Sequence, residues 1–289
     1  MKPASVLVAS VAAVLSFSPL AHASEPPALA AADYEAVDPQ NLLVIDTTKG
    51  RIWVEMTPDV APLHVERMRL LAREGFFNNV KWHRVIDGFM AQTGDPSGTG
   101  EGGSTHDDLK AEFTFRRGAD TAFVPVATPG GYPVGFHHSL PVTSQPDRFF
   151  SRTDDQKATA WGVYCPGVAG MARDDNPDSA NSQFFLMRDY YPTLERRYTI
   201  WGRVIAGQDV VNSLNAGALP SGQVENPDMM LRVQVAADIP AAERTEVRRA
   251  KLDSAAFRSA VETIKQAKGA DFSVCDVPVP VQLIEPGRA

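Results

Sequence analysis

The stretch Phe76–Asp95 carries side chains that could bind and orient a peptide without breaking a bond. A guanidinium, an apolar ring, a thioether and an amide occur within nine residues, at Arg84, Phe89, Met90 and Gln92. The stretch has no cysteine or serine, and no carboxylate is placed to act as a nucleophile. This set favours a site that holds an apolar ring and orients an amide. The alternative is an ordinary hairpin in which Arg84 is a surface charge and its neighbours are core.

Two further segments accompany this stretch, the glycine-rich loop Pro96–Gly103 and the segment Gly170–Leu186. The loop lacks the Lys-Ser/Thr and the βαβ context of a phosphate-binding loop, so we expect its backbone to pass close to another part of the chain. In this order the three segments resemble the cyclophilin family of peptidyl-prolyl cis–trans isomerases. An Arg-x4-Phe-x2-Gln spacing followed by Met-Ala and by Ser-Gln-Phe-Phe carries the resemblance, which covers about residues 42–235.

The resemblance implies a mainly β fold, a closed eight-stranded antiparallel barrel capped by two helices, with the active site on its outer face. It implies that Arg84 is catalytic and that Gln92 hydrogen-bonds the substrate carbonyl. By the same resemblance the proline pocket is formed by Phe89, Met90, Phe185 and Leu194. The backbone of Ala172 and Arg173 pairs with the peptide, and Gln183 is a polar support residue in the pocket wall. Tyr198 is a further substrate-binding position, where many members have His.

The sequence differs from many members of the family at two of these positions and at one position next to them. Arg173 stands where animal proteins have Asn, and Tyr198 stands where many members have His. Bacterial members resemble this chain at both positions, so the resemblance is to the bacterial, exported type. Thr193 stands where several members have Trp.

Rotation about an X–Pro bond is chemistry that these residue types permit. The barrier is about 18–20 kcal/mol because rotation removes amide resonance, whereas the cis form itself costs only about 0.5–1 kcal/mol. A donor that binds the prolyl nitrogen only in the twisted state would lower this barrier, and Arg84 offers a rigid fork of donors. The reaction needs no cofactor. A module that binds proline-containing segments, or a chaperone with weak catalysis, is the alternative function.

The pattern around the site predicts many short strands and two helices. Residues 42–56 read as two alternating strands with a turn at Thr48-Lys49-Gly50. Helices are predicted from Pro62 to Gly75 and over 206–214. Short strands separated by turns favour an antiparallel barrel or sandwich. Within residues 80–86 we expect Val80, Trp82, Arg84 and Ile86 to share one face.

The flanking segments divide the chain into four parts. We expect a signal peptide over 1–23, a poorly ordered leader over 24–40, an isomerase domain over 41–238 and a C-terminal helical extension with a tail over 239–289. Residues 116–161 lack a steady period and are rich in Pro, Gly, Asp and Ser, which predicts a long loop insertion that borders the groove. An apolar stripe within 241–268 predicts one helix.

The first residues and the composition restrict location and partners. Lys2, an apolar run and Ala21-His22-Ala23 indicate a secretory signal peptide cleaved after Ala23, hence a periplasmic or secreted protein. No later run is long enough to insert into a membrane. The net charge of -7 in 289 residues disfavours nucleic acid as a partner. Proline-containing polypeptides, folding or unfolded, are the expected partners.

Two cysteines and two adjacent histidines raise the questions of a disulfide and of a metal site. In an oxidising compartment Cys165 and Cys275 could form a disulfide, and the alternative is two separate buried thiols. No metal site is predicted. Adjacent histidines such as His137 and His138 point apart in extended chain, and the cysteines lack metal-site spacing.

Overall fold

The computed structural model describes residues 29–287, so the predicted signal peptide over 1–23 lies outside the described residues. Three α-helices lie within residues 29–287: α1 (Pro62–Arg73), α2 (Gln208–Ser213) and α3 (Ala255–Lys268). No helix of this part of the chain is long and apolar enough to cross a membrane. The same described residues contain seventeen strands: β1 (Tyr34–Ala36), β2 (Leu42–Thr47), β3 (Gly50–Met56), β4 (Val80–Lys81), β5 (Arg84–Ile86), β6 (Met90–Thr93), β7 (Phe115–Arg117), β8 (Phe123–Ala127), β9 (Val134–His137), β10 (Leu140–Ser144), β11 (Ala158–Gly162), β12 (Val168–Met171), β13 (Phe184–Met187), β14 (Ile200–Ala206), β15 (Met229–Val235), β16 (Glu246–Ala250) and β17 (Val281–Ile284).

A curled nine-stranded antiparallel sheet forms the main body, in the order β4-β15-β2-β3-β14-β12-β13-β6-β5. Its two edge strands, β4 and β5, follow each other directly in the chain and are separated only by Trp82 and His83. The mainly β prediction is confirmed. The count is nine rather than eight because the predicted strand over 80–86 is interrupted in the middle.

This interruption also changes which residues share a face. Val80, Trp82 and Val85 lie in the main apolar core, whereas Arg84 is half-buried and Ile86 packs against a different cluster. The prediction that Val80, Trp82, Arg84 and Ile86 share one face is therefore wrong, because a break at His83 resets the alternation of a strand. Arg84 reaches the outer surface as a result.

Both predicted helices of the main body are present. Pro62 stands at the first position of α1, and the helix buries Val65, Met68 and Leu71 against the sheet. Proline has no backbone N–H, and this costs nothing at the start of a helix, where that donor has no partner within the helix. We call this core, which also contains Ile45, Val54, Trp82 and Phe184, the barrel core.

The insertion over 116–161 is a folded sheet rather than a long loop. Strands β7 to β11 pair in the antiparallel order β7-β11-β10-β9-β8. Sequence periodicity fails here because the strands are short and prolines and glycines interrupt them. Gly135 is needed where two backbones approach, since a Cβ there would lie 2.0 Å from the Val124 carbonyl oxygen. The sheet shares a second apolar cluster, the outer core, which includes Met90, Phe136, Phe185, Phe257 and Val274.

The two ends of the described chain meet in a three-stranded sheet, β1-β16-β17. The prediction of a poorly ordered leader over 24–40 is wrong for its described part, where Tyr34–Ala36 form a strand and Tyr34 pairs with Ala250. The predicted helix over 241–268 is also partly wrong: residues 246–250 form a strand, and α3 begins after Ser254, whose hydroxyl accepts a hydrogen bond from Phe257 N at 3.1 Å. The next residue on the buried face after Val247 is Arg249, which forms an ion pair with Glu35. The buried face of this strand is therefore not apolar in sequence.

Cys165 and Cys275 are bonded to each other, with their Cα atoms 5.2 Å apart. The bond attaches the C-terminal extension to the segment before β12. It closes a loop of 110 residues, for which a chain-entropy argument gives roughly 2–5 kcal/mol of stabilisation.

We predict that the Cys165→Ser, Cys275→Ser double variant loses about 2–5 kcal/mol of unfolding free energy. Urea unfolding with and without a reductant measures this, because reductant should destabilise the wild type and leave the double variant unchanged. Equal stabilities of the two proteins in oxidising buffer would contradict the prediction.

Candidate active site

The β5–β6 hairpin places Arg84 opposite Gln92. The two residues are direct cross-strand partners, and the turn between the strands contains Gly88 at φ +67. Arg84 Nη1 donates to Gln92 Oε1 at 3.2 Å, and Arg84 Nε donates to the Ser221 carbonyl at 2.9 Å. These two bonds fix the guanidinium plane at the outer surface of the sheet.

Gln92 is itself held by a second amide. Its Nε2 donates to Gln183 Oε1 at 3.0 Å, and Gln183 Nε2 donates to the carbonyls of Gly100 and Gly102, both at 2.8 Å. Since the nitrogen of each amide donates and its oxygen accepts from a different group, neither side chain can flip without losing bonds. The chain of bonds thus runs from the glycine-rich loop to Arg84.

The glycine-rich loop folds around the carboxylate of Asp95, which is fully buried. Asp95 Oδ1 accepts from Ser97 N at 2.8 Å, and Oδ2 accepts from Thr99 N at 3.0 Å and Gly100 N at 2.7 Å. Burial acts to raise the pKa of Asp95, but the bonds from Ser97 and Gly100 outweigh it and hold the pKa below its usual value. The loop amides therefore bind this internal anion.

Close backbone approach, the expectation for this loop, is confirmed. A Cβ at Gly102 would lie 2.1 Å from Asp95 Oδ1, so only glycine fits there. Asp95 itself was missed in the sequence. The Asp-Pro-Ser-Gly order, typical of turns in which an Asp side chain binds the backbone two residues on, is the signal that could have found it.

The apolar positions come together beside Arg84. Met90 and Phe185 are buried members of the outer core, and Phe89, Leu194 and Tyr198 pack against it half-exposed. The Phe185 ring stands edge-on to Tyr198 with centroids 6.0 Å apart.

Tyr164 backs this pocket from within and was not predicted. Its ring stacks on Phe185 at 6.0 Å, and its hydroxyl donates to the Tyr198 carbonyl at 3.1 Å. A Cβ at Gly170 would lie 2.6 Å from Phe185 Cζ, so glycine at this position makes room for the ring.

A cavity of about 680 Å³ adjoins Gln92 and is bounded by the loop 100–104 on one side and by Ala172 and Arg173 on the other. Ala172 N donates to the Gln183 carbonyl at 2.9 Å, which continues the β12–β13 pairing. The Arg173 guanidinium lies 4.6 Å from the Tyr198 ring centroid and donates from Nε to the Arg197 carbonyl. Its side chain therefore covers Tyr198, and the residue also lines the cavity.

Burial lowers the pKa of Arg84, and Tyr198 acts in the opposite direction. Because the ordinary value lies above 12, the guanidinium is still a cation at neutral pH. The site thus combines a half-buried cation, two oriented amides and an aromatic pocket, which can bind a peptide but contains no assembled nucleophile and base.

Comparison with known proteins identifies this arrangement. The family model for cyclophilin-type peptidyl-prolyl cis-trans isomerases matches residues 42–235. A probable peptidyl-prolyl cis-trans isomerase of Brucella suis is 34% identical over 215 residues, which cover 70% of this chain and 86% of the relative. This chain belongs to the cyclophilin family. The crystal structure of cyclophilin AquaCyp293 from Hirschia baltica has a TM-score of 0.79 and 32% identity, and the match covers 87% of this chain and 94% of that one.

As a cyclophilin, the protein is a peptidyl-prolyl cis–trans isomerase with the cyclophilin fold. The similarity to the Hirschia baltica cyclophilin extends well beyond residues 42–235, because it covers 87% of the chain.

Proposed function

We propose that this cyclophilin isomerises X–Pro bonds of exported proteins and that Arg84 stabilises the twisted amide. The observation that carries the proposal is the position of Arg84, held by Ser221 and Gln92 beside the aromatic pocket of Phe185. A third, longer contact joins Arg84 Nη1 to Met90 Sδ at 3.8 Å, and the contacts within the described chain leave donors of the five-donor guanidinium available for a bound peptide.

The reaction follows from the electronic change during rotation. As the amide twists, the prolyl nitrogen regains a lone pair that Arg84 can bind, and the planar ground states offer no such acceptor. The pocket formed by Met90, Phe185 and Leu194 holds the proline ring and excludes water, which strengthens the hydrogen bond. Gln92 and the backbone at Ala172 and Arg173 hold the flanking amides while the bond rotates.

Export is supported by the sequence and by the disulfide. Residues 1–23 have the composition of a signal peptide, and disulfides persist mainly in oxidising compartments. Cell fractionation of the full chain tests this: wild type should accumulate outside the cytoplasm, shortened after Ala23, and an Ala23→Arg variant should remain unprocessed. Cytoplasmic wild-type protein of full length would contradict export and leave the isomerase proposal standing.

The inserted sheet contacts the segment that carries Leu194 and Tyr198. Trp161 Nε1 donates to Glu195 Oε2 at 3.0 Å, and the Arg196 guanidinium lies 5.0 Å from the Trp161 ring centroid. These contacts support the proposal that the insertion borders the groove. Trp161→Ala tests this proposal more cleanly than deletion of residues 116–161, because the deletion would also remove part of the outer core.

A proline-segment binder or chaperone is the alternative, favoured by the inserted sheet that contacts the segment carrying Leu194 and Tyr198. Refolding of an exported protein whose slow phase is X–Pro isomerisation separates the two. A catalyst accelerates that phase at a low molar ratio, and Arg84→Ala abolishes the acceleration. If wild type and variant act alike and only at stoichiometric amounts, the binding alternative is correct.

We predict a smaller effect for the amide behind Gln92. Gln183→Ala removes three hydrogen bonds and frees Gln92 to rotate, so kcat/KM for an X–Pro peptide should fall about tenfold, equivalent to ~1.4 kcal/mol. Gln282→Ala, in the distant terminal sheet, is the matched control and should match wild type. An unchanged kcat/KM for Gln183→Ala would show that Gln92 needs no support.

A further inference from the structure

Two adjacent histidines and an aspartate converge at the junction between the inserted sheet and the main body. His137 ends β9, His138 follows in the β9–β10 turn, and Asp59 lies between β3 and α1. His137 Nε2 lies 3.2 Å and His138 Nε2 lies 3.7 Å from Asp59 Oδ2, and the three potential ligand atoms all lie within 4.8 Å of one another.

The backbone explains why the expectation that these histidines point apart is wrong. His138 adopts φ +52, in the left-handed region that non-glycine residues seldom occupy. This turn brings both rings to the same side, with their centroids 4.4 Å apart. Such a conformation is held by its surroundings and occurs preferentially at functional sites.

The hydrogen bonds of His137 orient its second nitrogen as a ligand. His137 is 1% exposed, and its Nδ1 lies 3.1 Å from the Ala122 carbonyl oxygen, which can only accept. A neutral ring that donates from Nδ1 has a lone pair on Nε2, and this Nε2 faces the Asp59 carboxylate. A backbone carbonyl behind a metal-binding histidine is the usual outer partner that fixes the ring.

We propose that Asp59, His137 and His138 bind a divalent transition-metal ion, Zn²⁺ by their ligand chemistry. Two imidazoles and a carboxylate suit zinc, whereas calcium and magnesium prefer oxygen ligands. Tetrahedral ligands about 2.0–2.1 Å from zinc lie roughly 3.3 Å apart, close to the distances from Asp59 Oδ2. The side chains of Asp59 and His138 are 59% and 37% exposed and can move to close the set.

The site would join the inserted sheet to the main body. The neighbouring Ser139 already makes two such links: its N–H donates to Glu55 Oε2 at 3.1 Å, and its carbonyl accepts from Arg203 Nη1 at 2.9 Å. A cavity of about 580 Å³, lined by Asp59, His138 and Asp253 among others, borders the cluster. A water molecule from this cavity would complete a tetrahedral zinc site, and the cluster shares no residue with the Arg84 site.

The test titrates Zn²⁺ into tag-free, metal-stripped protein of residues 24–289, in competition with a chromophoric chelator. Wild type should bind one equivalent and gain thermal stability with added zinc. His138→Asn, which tolerates the positive φ, and Asp59→Asn should each bind at least about tenfold more weakly. His106→Asn is the matched control, since His106 pairs with a single carboxylate, Glu74, at 3.0 Å, and it should bind like wild type.

Three outcomes would overturn the proposal. Absence of zinc uptake by wild type would mean that Asp59 and His137 form only an ion pair. Uptake that survives both His138→Asn and Asp59→Asn, or that is lost in His106→Asn, would place the ion elsewhere. Because binding and melting are read without an isomerase assay, failure here leaves the proposed isomerase mechanism untouched.

Discussion

Arg84→Ala should reduce kcat/KM for an X–Pro peptide by about 10²–10³-fold, which corresponds to a loss of roughly 3–4 kcal/mol of transition-state stabilisation. The guanidinium is half-buried at the surface, and its hydrogen bonds go to Ser221 and Gln92 rather than into the barrel core. We therefore expect the melting temperature to change little. A protease-coupled peptide assay and a thermal melt on the same samples measure both effects.

Arg232→Ala is the matched control for this change. Arg232 is exposed on β15, on the main sheet but in a different strand, so its removal tests the general effect of losing one positive charge. It should match wild type in kcat/KM. Wild-type turnover by Arg84→Ala, or an equal loss in both variants, would contradict the role assigned to Arg84.

Asp95→Asn should destabilise the protein by about 2–4 kcal/mol, because hydrogen bonds to a charged group contribute roughly 1.5–3 kcal/mol each. The carboxylate accepts backbone N–H bonds on both oxygens. An amide of the same shape must place an NH₂ group against one set of these donors. Isomerase activity should fall as well, since the loop carbonyls of Gly100 and Gly102 hold Gln183.

The effect of Asp95 should also depend on pH. Its pKa in the folded protein lies below the ordinary value of 3.8, so its stabilisation is fully present above that value and is lost as the pH falls toward the folded pKa. Urea unfolding should give the largest difference between wild type and Asp95→Asn above pH 5 and a shrinking one below about pH 4. Asp175→Asn, an exposed loop carboxylate, is the control. A difference that grows on acidification would contradict the assignment.

The site could be predicted from sequence where spacing and chemistry coincide in one hairpin. Arg84, Phe89 and Gln92 are close in the chain, and two-residue alternation places Arg84 opposite Gln92 once the strands pair. The roles of Phe185 and Gln183 could be predicted only from the resemblance to cyclophilins, because nothing local in a sequence shows which distant strand lies next to β6.

The parts that failed depend on tertiary context. The break at Trp82–His83, which turns Arg84 outward, has no proline or glycine to mark it. Arg249 occupies an inward strand position, where Glu35 and Glu55 neutralise it, so the sequence of β16 lacks the apolar alternation that indicates a strand. His138 turns toward Asp59 through a positive φ, which is uncommon for a non-glycine residue and is not marked in the sequence.

The most direct test of the central claim separates catalysis from binding. Exchange NMR on an X–Pro peptide saturated with protein gives the cis–trans rate of the bound peptide, and a titration of the same peptide gives Kd. We predict that Arg84→Ala keeps Kd within a fewfold of wild type while the bound exchange rate falls by about 10²-fold or more. Unchanged exchange in the variant, or a loss of binding that accounts for the whole effect, would contradict the role of Arg84 in stabilising the twisted amide.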